Sequence, residues 1–224
     1  MTRDTAPVAR TRPLRRDAEL NRRRIITSAR VVFGQRGLDA TLDDIAHHAG
    51  LGVGTVYRRF PSKEHLVEAM FAERLEEVRL VAEEALLNPD PWDGFANFVW
   101  TIVGLQAEDR GLREVMLSNA FGHAQVAEAK ERMIPVCTEL VERAKASGKL
   151  RADFAPTDLP LITLMIGSVA EYTQLAEPGL WKRSLGLLLD GLRGAPGAPS
   201  ELAHEPLDTE ALDNAMCSWR KRGS

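Results

Sequence analysis

Most of what marks a metal centre, a phosphate loop or a disulfide scaffold is missing from these 224 residues. Two cysteines, Cys137 and Cys217, are too few and too far apart in sequence to staple a fold. Five histidines (His47, His48, His65, His123, His204) form no HExxH, no Cys–His zinc set and no triad arrangement. His47 and His48 are adjacent and so point to different sides of a helix. The glycines of residues 50–54 (GLGVG) lack the Lys-Ser/Thr of a P-loop and follow no strand pattern. No metal, cofactor or catalytic residue is therefore expected, and an enzyme is the weakest reading. No apolar run approaches membrane-spanning length, and residues 1–16 carry arginine and proline without an apolar stretch. A cytoplasmic protein with no membrane partner is expected.

Charge is present, and unevenly. The formal net charge of −3 divides into +6 over residues 1–60, with twelve arginines and six acidic residues, and −9 over residues 61–224. A polyanion would be drawn to the first part and repelled by the second. The arginines of the leader (Arg3, Arg10, Arg12, Arg15, Arg16) predict a disordered basic arm over residues 1–16, available to phosphates.

Residues 41–60 (TLDDIAHHAGLGVGTVYRRF) read as two short helices around a turn. Thr41 is a good N-cap, and Asp44 three positions on can return the bond or complement the helix dipole. Leu42, Ile45, Ala46 and Ala49 give one apolar face, and Gly50 stops the helix as only glycine does without penalty. A second helix follows with Val53, Val56 and Phe60 inward, leaving Thr55, Tyr57, Arg58 and Arg59 outward. That is a helix-turn-helix whose second member is short enough for a major groove. Thr55 suits a phosphate or a base edge, Tyr57 a phosphate, and the arginines add charged donors. Upstream, Ile26, Ala29 and Phe33 form a seam closed by Gly37. Downstream, Lys63 sits in the first turn of the next helix, where a cation opposes the dipole unless something such as a phosphate rewards it.

The ordered set Ala29, Phe33, Gly37, Thr41, Ile45, Ala46, Ala49, Gly50, Gly54, Thr55, Tyr57, Phe60, Lys63, Glu64 and Leu66 closely resembles the tetracycline-repressor (TetR) family of bacterial regulators. The likeness covers the first third of the chain. It departs at Gly52, where the family commonly has a capping serine, and at Arg59, where it often has histidine. The resemblance implies an all-α fold: an N-terminal three-helix bundle with the helix-turn-helix (residues 17–61), then a helical effector-binding and dimerisation domain (residues 62–193). It implies DNA binding through Thr41, Gly52, Val53, Gly54, Thr55, Tyr57, Arg58 and Lys63, with a palindromic double-stranded operator as partner.

The remaining pattern is helical throughout. Helices are expected at residues 62–87, 92–107, 109–121, 125–147 (with Pro135 inside), 157–175 and 181–192. The last two are apolar on more than one face and must be buried on more than one side, by the body or by a second subunit. The resemblance favours a homodimer here, with Leu161, Leu164, Ser168, Tyr172, Leu185, Leu188, Leu189 and Leu192 at its interface. Aromatic and sulfur-bearing side chains exceed what the seams need. The family's ligand cavity would draw on Phe71, Trp92, Phe95, Trp100, Val103, Met116, Phe121, Met133, Cys137 and Met165, with polar groups among Gln106, Asn119, His123 and Glu171. An apolar pocket of that kind favours a lipophilic or aromatic effector. Residues 194–206 have linker composition, and residues 207–219 read equally as a docked helix or a mobile tail within a 194–224 terminus. The function expected is a dimeric repressor released by a small molecule. The alternative is a DNA-binding regulator without a ligand, either an activator or one controlled by a partner.

Overall fold

The computed structural model describes residues 11–108, 124–194 and 200–218. Within them lie nine α-helices and no strand. Helix α1 spans Thr11–Arg36 and passes through a 3-10 turn, Gly37–Asp39, into α2 (Leu42–Ala49) and α3 (Val53–Arg59). Helix α4 (Lys63–Leu86) leads out to α5 (Pro91–Glu108), α6 (Ala124–Ala146), α7 (Asp158–Thr173), α8 (Leu180–Leu192) and α9 (Thr209–Ser218). Helix α1 starts inside the stretch expected to be a disordered arm. Residues 11–16 continue the same helix, so the basic positions Arg12, Arg15 and Arg16 belong to its first turns. The helix expected at residues 109–121 falls outside the described residues, and with it Met116, Asn119 and Phe121; His123 does so too.

Two apolar cores organise the chain. The head core joins Ile25, Ile26, Ala29 and Phe33 of α1, Ile45 and Ala46 of α2, Val56 of α3, and Leu66, Met70 and Phe71 of α4. Val126 and Ala129, from the first half of α6, belong to it as well. The body core gathers Phe95, Phe98, Val99 and Val103 of α5 with Cys137, Leu140 and Val141 of α6, Ile162 and Ile166 of α7, and Trp181 and Leu185 of α8. Thus α6 is shared: its first half packs on the head and its second half on the body. Met133 touches both cores. Pro135 lies just beyond it, where the missing N–H removes one helical hydrogen bond at the changeover.

The turn between α4 and α5 shows how local sequence fixes this geometry. Asp90 Oδ1 accepts from the amides of Trp92 (2.9 Å) and Asp93 (3.1 Å), with Pro91 at the first helical position, where its missing N–H costs nothing. Gly94 then passes so close to the end of α4 that a Cβ would sit 2.6 Å from the Ala85 carbonyl oxygen. Any side chain there would push α5 off α4.

Candidate nucleic-acid interface and effector cavity

The helix-turn-helix is built by its caps. Thr41 and Asp44 form a reciprocal capping box: the Asp44 amide donates to Thr41 Oγ1 (3.2 Å) and the Thr41 amide donates to Asp44 Oδ2 (2.9 Å). Arg36, at the end of α1, donates to Asp44 Oδ1 at 2.8 Å, so the same carboxylate ties α1 to the start of α2. The Thr41 amide and hydroxyl, then the Arg36 charge, hold the Asp44 carboxyl below its ordinary value. Helix α2 ends at Gly50 with φ 60°, the left-handed conformation. The Leu51 amide donates to Ala46 O (3.0 Å) and the Gly50 amide to His47 O (3.1 Å), which closes the turn into α3.

Helix α3 buries Val56 and is closed by buried Phe60. Its outer face is open: Gly52, Val53, Gly54, Tyr57, Arg58 and Arg59 are exposed and Thr55 is half-exposed. Val53 corrects the expectation that it would point inward with Val56. It is 44% exposed, because α3 has only seven residues and its first turn stands outside the head core. No side chain caps α3 at Gly52, whose backbone is extended there. The Asp43 carboxylate of α2, with partial desolvation, raises the Tyr57 phenol above its ordinary value and keeps it a neutral donor. Lys63 differs from expectation in its partner. Its Nζ donates to the Leu38 carbonyl of the 3-10 turn, so the fold itself occupies this cation. Thr41, Thr55, Tyr57, Arg58 and the opening of α3 lie on one continuous helix-turn-helix, as a groove-reading surface requires.

A second feature lies between head and body. A cavity of about 290 Å³ is lined by Phe71, Arg74, Leu75 and Val78 of α4 and by Phe98, Ile102 and Gln106 of α5. Lys130, Met133, Ile134, Cys137 and Thr138 of α6 form a third wall. Pro156, Thr157, Leu159, Pro160 and Thr163 at the start of α7 close one end, and Thr209, Leu212, Asp213 and Met216 of α9 the other. The lining is chiefly apolar, with a few polar side chains at set points. Burial pushes the Cys137 thiol up to about 12, so it stays neutral and unreactive while it is buried in the wall.

Helices α4, α5 and α6 frame this cavity, but not with all of the residues expected to line a ligand pocket. Phe71, Met133 and Cys137 line the cavity; Trp92, Phe95, Trp100 and Val103 do not. On α5 the cavity-lining residues fall at 98, 102 and 106, one stripe of the helix, and Phe98 and Ile102 border the body core that takes up Trp92, Phe95 and Val103. Phe95 meets Phe154 edge to face at 5.5 Å, Trp92 lies under the Arg193 guanidinium at 4.7 Å, and Trp100 packs on Trp181 at 6.0 Å. Met165 is 51% exposed on the far side of α7. Of the expected polar groups, Gln106 lines the cavity and Glu171 is exposed elsewhere. Arg74 carries no signal in the sequence as a cavity residue, because a charged residue at an inward helical position looks like a solvated one. It is buried, and its guanidinium donates to the Ile102 carbonyl of α5 at 2.9 Å and to Glu77 Oε2 at 3.3 Å. Glu77 Oε1 in turn accepts from Arg30 of α1 at 2.8 Å. A chain of charges therefore runs from the head, through α4, to the cavity wall.

Helices α7 and α8 present an uncovered apolar stripe. Leu161, Met165, Ser168 and Tyr172 follow one another along α7 at helical spacing, and Tyr172 is 92% exposed. On α8, Leu180 and Leu187 are exposed and Leu188 is half-buried. Leu164 and Leu192 are half-buried, whereas Leu185 and Leu189 point into the body core. The inward pair corrects the expected interface: Leu185, Leu188, Leu189 and Leu192 share one face of α8, and that face packs on the body core, leaving Leu180 and Leu187 outward.

Two family models match this chain. Residues 25–70 match "Bacterial regulatory proteins, tetR family", and residues 90–194 match "Transcriptional regulator SbtR-like, C-terminal domain". The chain belongs to the TetR family. This TetR-family regulator is 27% identical to the HTH-type transcriptional regulator SrpR of Pseudomonas putida, over 79% of this chain and 78% of that one. A solved TetR transcription regulatory protein from Mycobacterium vanbaalenii is 29% identical, covering 81% of this chain and 99% of that one, with a TM-score of 0.58. The TetR regulator SCO0520 of Streptomyces coelicolor is 28% identical over 78% of this chain and 99% of that one, with a TM-score of 0.57. As a member of the family, the chain is a DNA-binding transcriptional regulator with an N-terminal helix-turn-helix and a C-terminal helical domain. Among the described residues no helix is long and apolar enough to cross a membrane, and no three metal-ligating side chains cluster.

Proposed function

We propose that this regulator is a dimeric repressor, released from a near-palindromic operator by a small lipophilic or aromatic ligand bound in the cavity between α4, α5 and α6. The observation that carries the reading is the position of that cavity. Its wall includes Arg74 on α4, and α4 contributes Leu66, Met70 and Phe71 to the head core as well. A ligand that favours one placement of α4 thereby biases the helix that bears the head. The charge chain Arg74–Glu77–Arg30 supports the same coupling, as does Met133, which touches both cores and the cavity.

The dimer reading rests on the apolar stripe of α7 and α8, with Leu161, Leu164, Met165, Ser168, Tyr172, Leu187 and Leu188 meeting a second copy about a two-fold axis. Two heads related by that axis meet half-sites about 34–36 Å or somewhat more apart. Thr41, Gly52, Val53, Gly54, Thr55, Tyr57, Arg58 and Lys63 are the proposed DNA-contacting set, Lys63 through release of its carbonyl partner. Ligand weakens operator binding only by its preference between two placements of the heads, typically ~1–3 kcal/mol, and DNA weakens ligand binding by the same factor. The test is reciprocal: a lipophilic compound found by thermal-shift screening is titrated with and without operator. Weaker ligand binding in the presence of operator is expected. Equal affinity in both titrations would refute ligand release and leave control by abundance or by a protein partner.

A further inference from the structure

The matched C-terminal family model ends at residue 194, yet one wall of the cavity comes from beyond it, from α9. The helix reaches the cavity through Thr209, Leu212, Asp213 and Met216. It is attached differently from the other walls. Helices α4, α5, α6 and α7 each sink several side chains into a core, whereas α9 buries one of its described side chains, Leu212. Two polar anchors add to that. Arg151 donates to the Ser200 carbonyl at 2.9 Å, and Lys130 Nζ pairs with Asp213 Oδ1 at 2.6 Å across the cavity rim. Between the anchors, residues 201–210 are exposed throughout.

The helix is also too short to persist alone. Its described part has ten residues, and isolated helices below about 12–15 residues are marginal in water. Asp208 caps it, its carboxylate accepting from the Ala211 amide at 2.7 Å, but one cap does not offset the cost of nucleation. Docking and helicity of α9 therefore rise and fall together. Local opening draws on segments with few buried contacts and exposed connections, and among the described cavity walls that segment is α9.

We propose that α9 is the gate of the cavity: latched by the Lys130–Asp213 pair, it closes over a bound apolar ligand through Leu212 and Met216 and swings out to let the ligand pass. The role in ligand exchange rests on the cavity being the effector site proposed above, but the gate itself is testable without any effector. Cys137 lines the cavity that α9 covers, so its reactivity reports opening. The second cysteine, Cys217, lies on α9 and is removed as Cys217→Ser.

In that background the full chain is treated with N-ethylmaleimide at a fixed pH; burial suppresses the thiolate while the cavity is closed, so labelling reports the opened state. Asp213→Lys replaces attraction at the rim by repulsion and should speed labelling roughly five- to tenfold, the scale of losing one partly exposed ion pair and gaining a like pair. Leu212→Asp places a carboxylate against the apolar wall and should speed it further. Restoring the pair with Lys130→Asp added to Asp213→Lys should return the rate close to that of the parent. Equal rates in the parent, Asp213→Lys and Leu212→Asp chains would overturn the gate, as would acceleration that the charge-swapped pair fails to reverse.

A second arm uses 1-anilinonaphthalene-8-sulfonate, an anionic dye that reports apolar cavities, and its dissociation should quicken in Leu212→Asp by a similar factor. If labelling responds as expected while no probe binds, the gate stands and the effector reading fails. If the probe binds and weakens operator binding while labelling is indifferent to α9, the effector reading stands and the gate fails.

Discussion

Replacing Glu77 by glutamine should loosen the joint between head and cavity while leaving the reading surface intact. Glu77 accepts from Arg30 Nη2 at 2.8 Å and from Arg74 Nη1 at 3.3 Å, so one carboxylate serves a guanidinium on α1 and another in the cavity wall. The Arg74 side chain is 4% exposed and that of Glu77 is 39% exposed. Removing one partner of a fully buried pair costs about 3–5 kcal/mol, and of an exposed pair about 0–1. Glu77 lies between these limits, and Arg74 keeps the Ile102 carbonyl, so the expected loss is about 2 kcal/mol. For a chain of this size that lowers the melting midpoint by about 4–8 °C, measured by circular dichroism. The second readout is coupling. The ratio of operator affinities with and without ligand should fall toward one in Glu77→Gln, because a ligand against Arg74 no longer acts on Arg30. Glu73→Gln is the control, since Glu73 also pairs with α1, through Arg22, but that pair includes no cavity-lining residue, whereas Glu77 binds Arg74 of the wall. It should lose stability and keep its ligand response. A Glu77→Gln protein with an unchanged ligand response would refute this route of coupling, and one with an unchanged midpoint would refute the energetic argument.

At the interface with DNA, Tyr57→Ala should weaken binding to all sequences alike, whereas Thr55→Ala should also relax specificity; fluorescence anisotropy on operator and scrambled duplexes separates the two, and affinity should fall linearly in log–log form with salt. Leu187→Arg or Met165→Arg should yield monomers by light scattering with the fold retained, because both side chains are exposed in a single chain; Leu185→Arg, in the body core, should unfold the protein instead. The Asp44 carboxyl titrates below its unfolded value, so its stabilisation is complete above the ordinary carboxylate range and is lost as pH falls through the lowered value. Thermal melts between pH 7 and pH 3 should show that loss, and Asp44→Asn should flatten it; an identical pH profile in the variant would refute the assignment.

Local chemistry was legible in the sequence. The cap at Thr41, the stop at Gly50, the inward Val56 and the outward Thr55, Tyr57 and Arg58 depend on neighbours within a few positions, and short-range hydrogen bonding and helical period decide them. Helix order was legible for the same reason, since glycine, proline and capping residues punctuate the chain. What the sequence could not decide was which of several apolar faces meets which neighbour. Helix α5 is apolar nearly all round, and only packing decided that Trp92, Phe95 and Val103 serve the body core alone, whereas Phe98 and Ile102 belong to that core and also line the cavity beside Gln106. Leu185 and Leu189 were drawn inward by the same contest, leaving Leu187 outside. The partners of charged groups were equally hidden. Lys63 meets a carbonyl 25 positions away, Arg74 meets one 28 away, and Asp213 meets Lys130 83 away. A charge in a sequence names no partner, because its energy depends on distance and burial, and both are set only when separate helices come together.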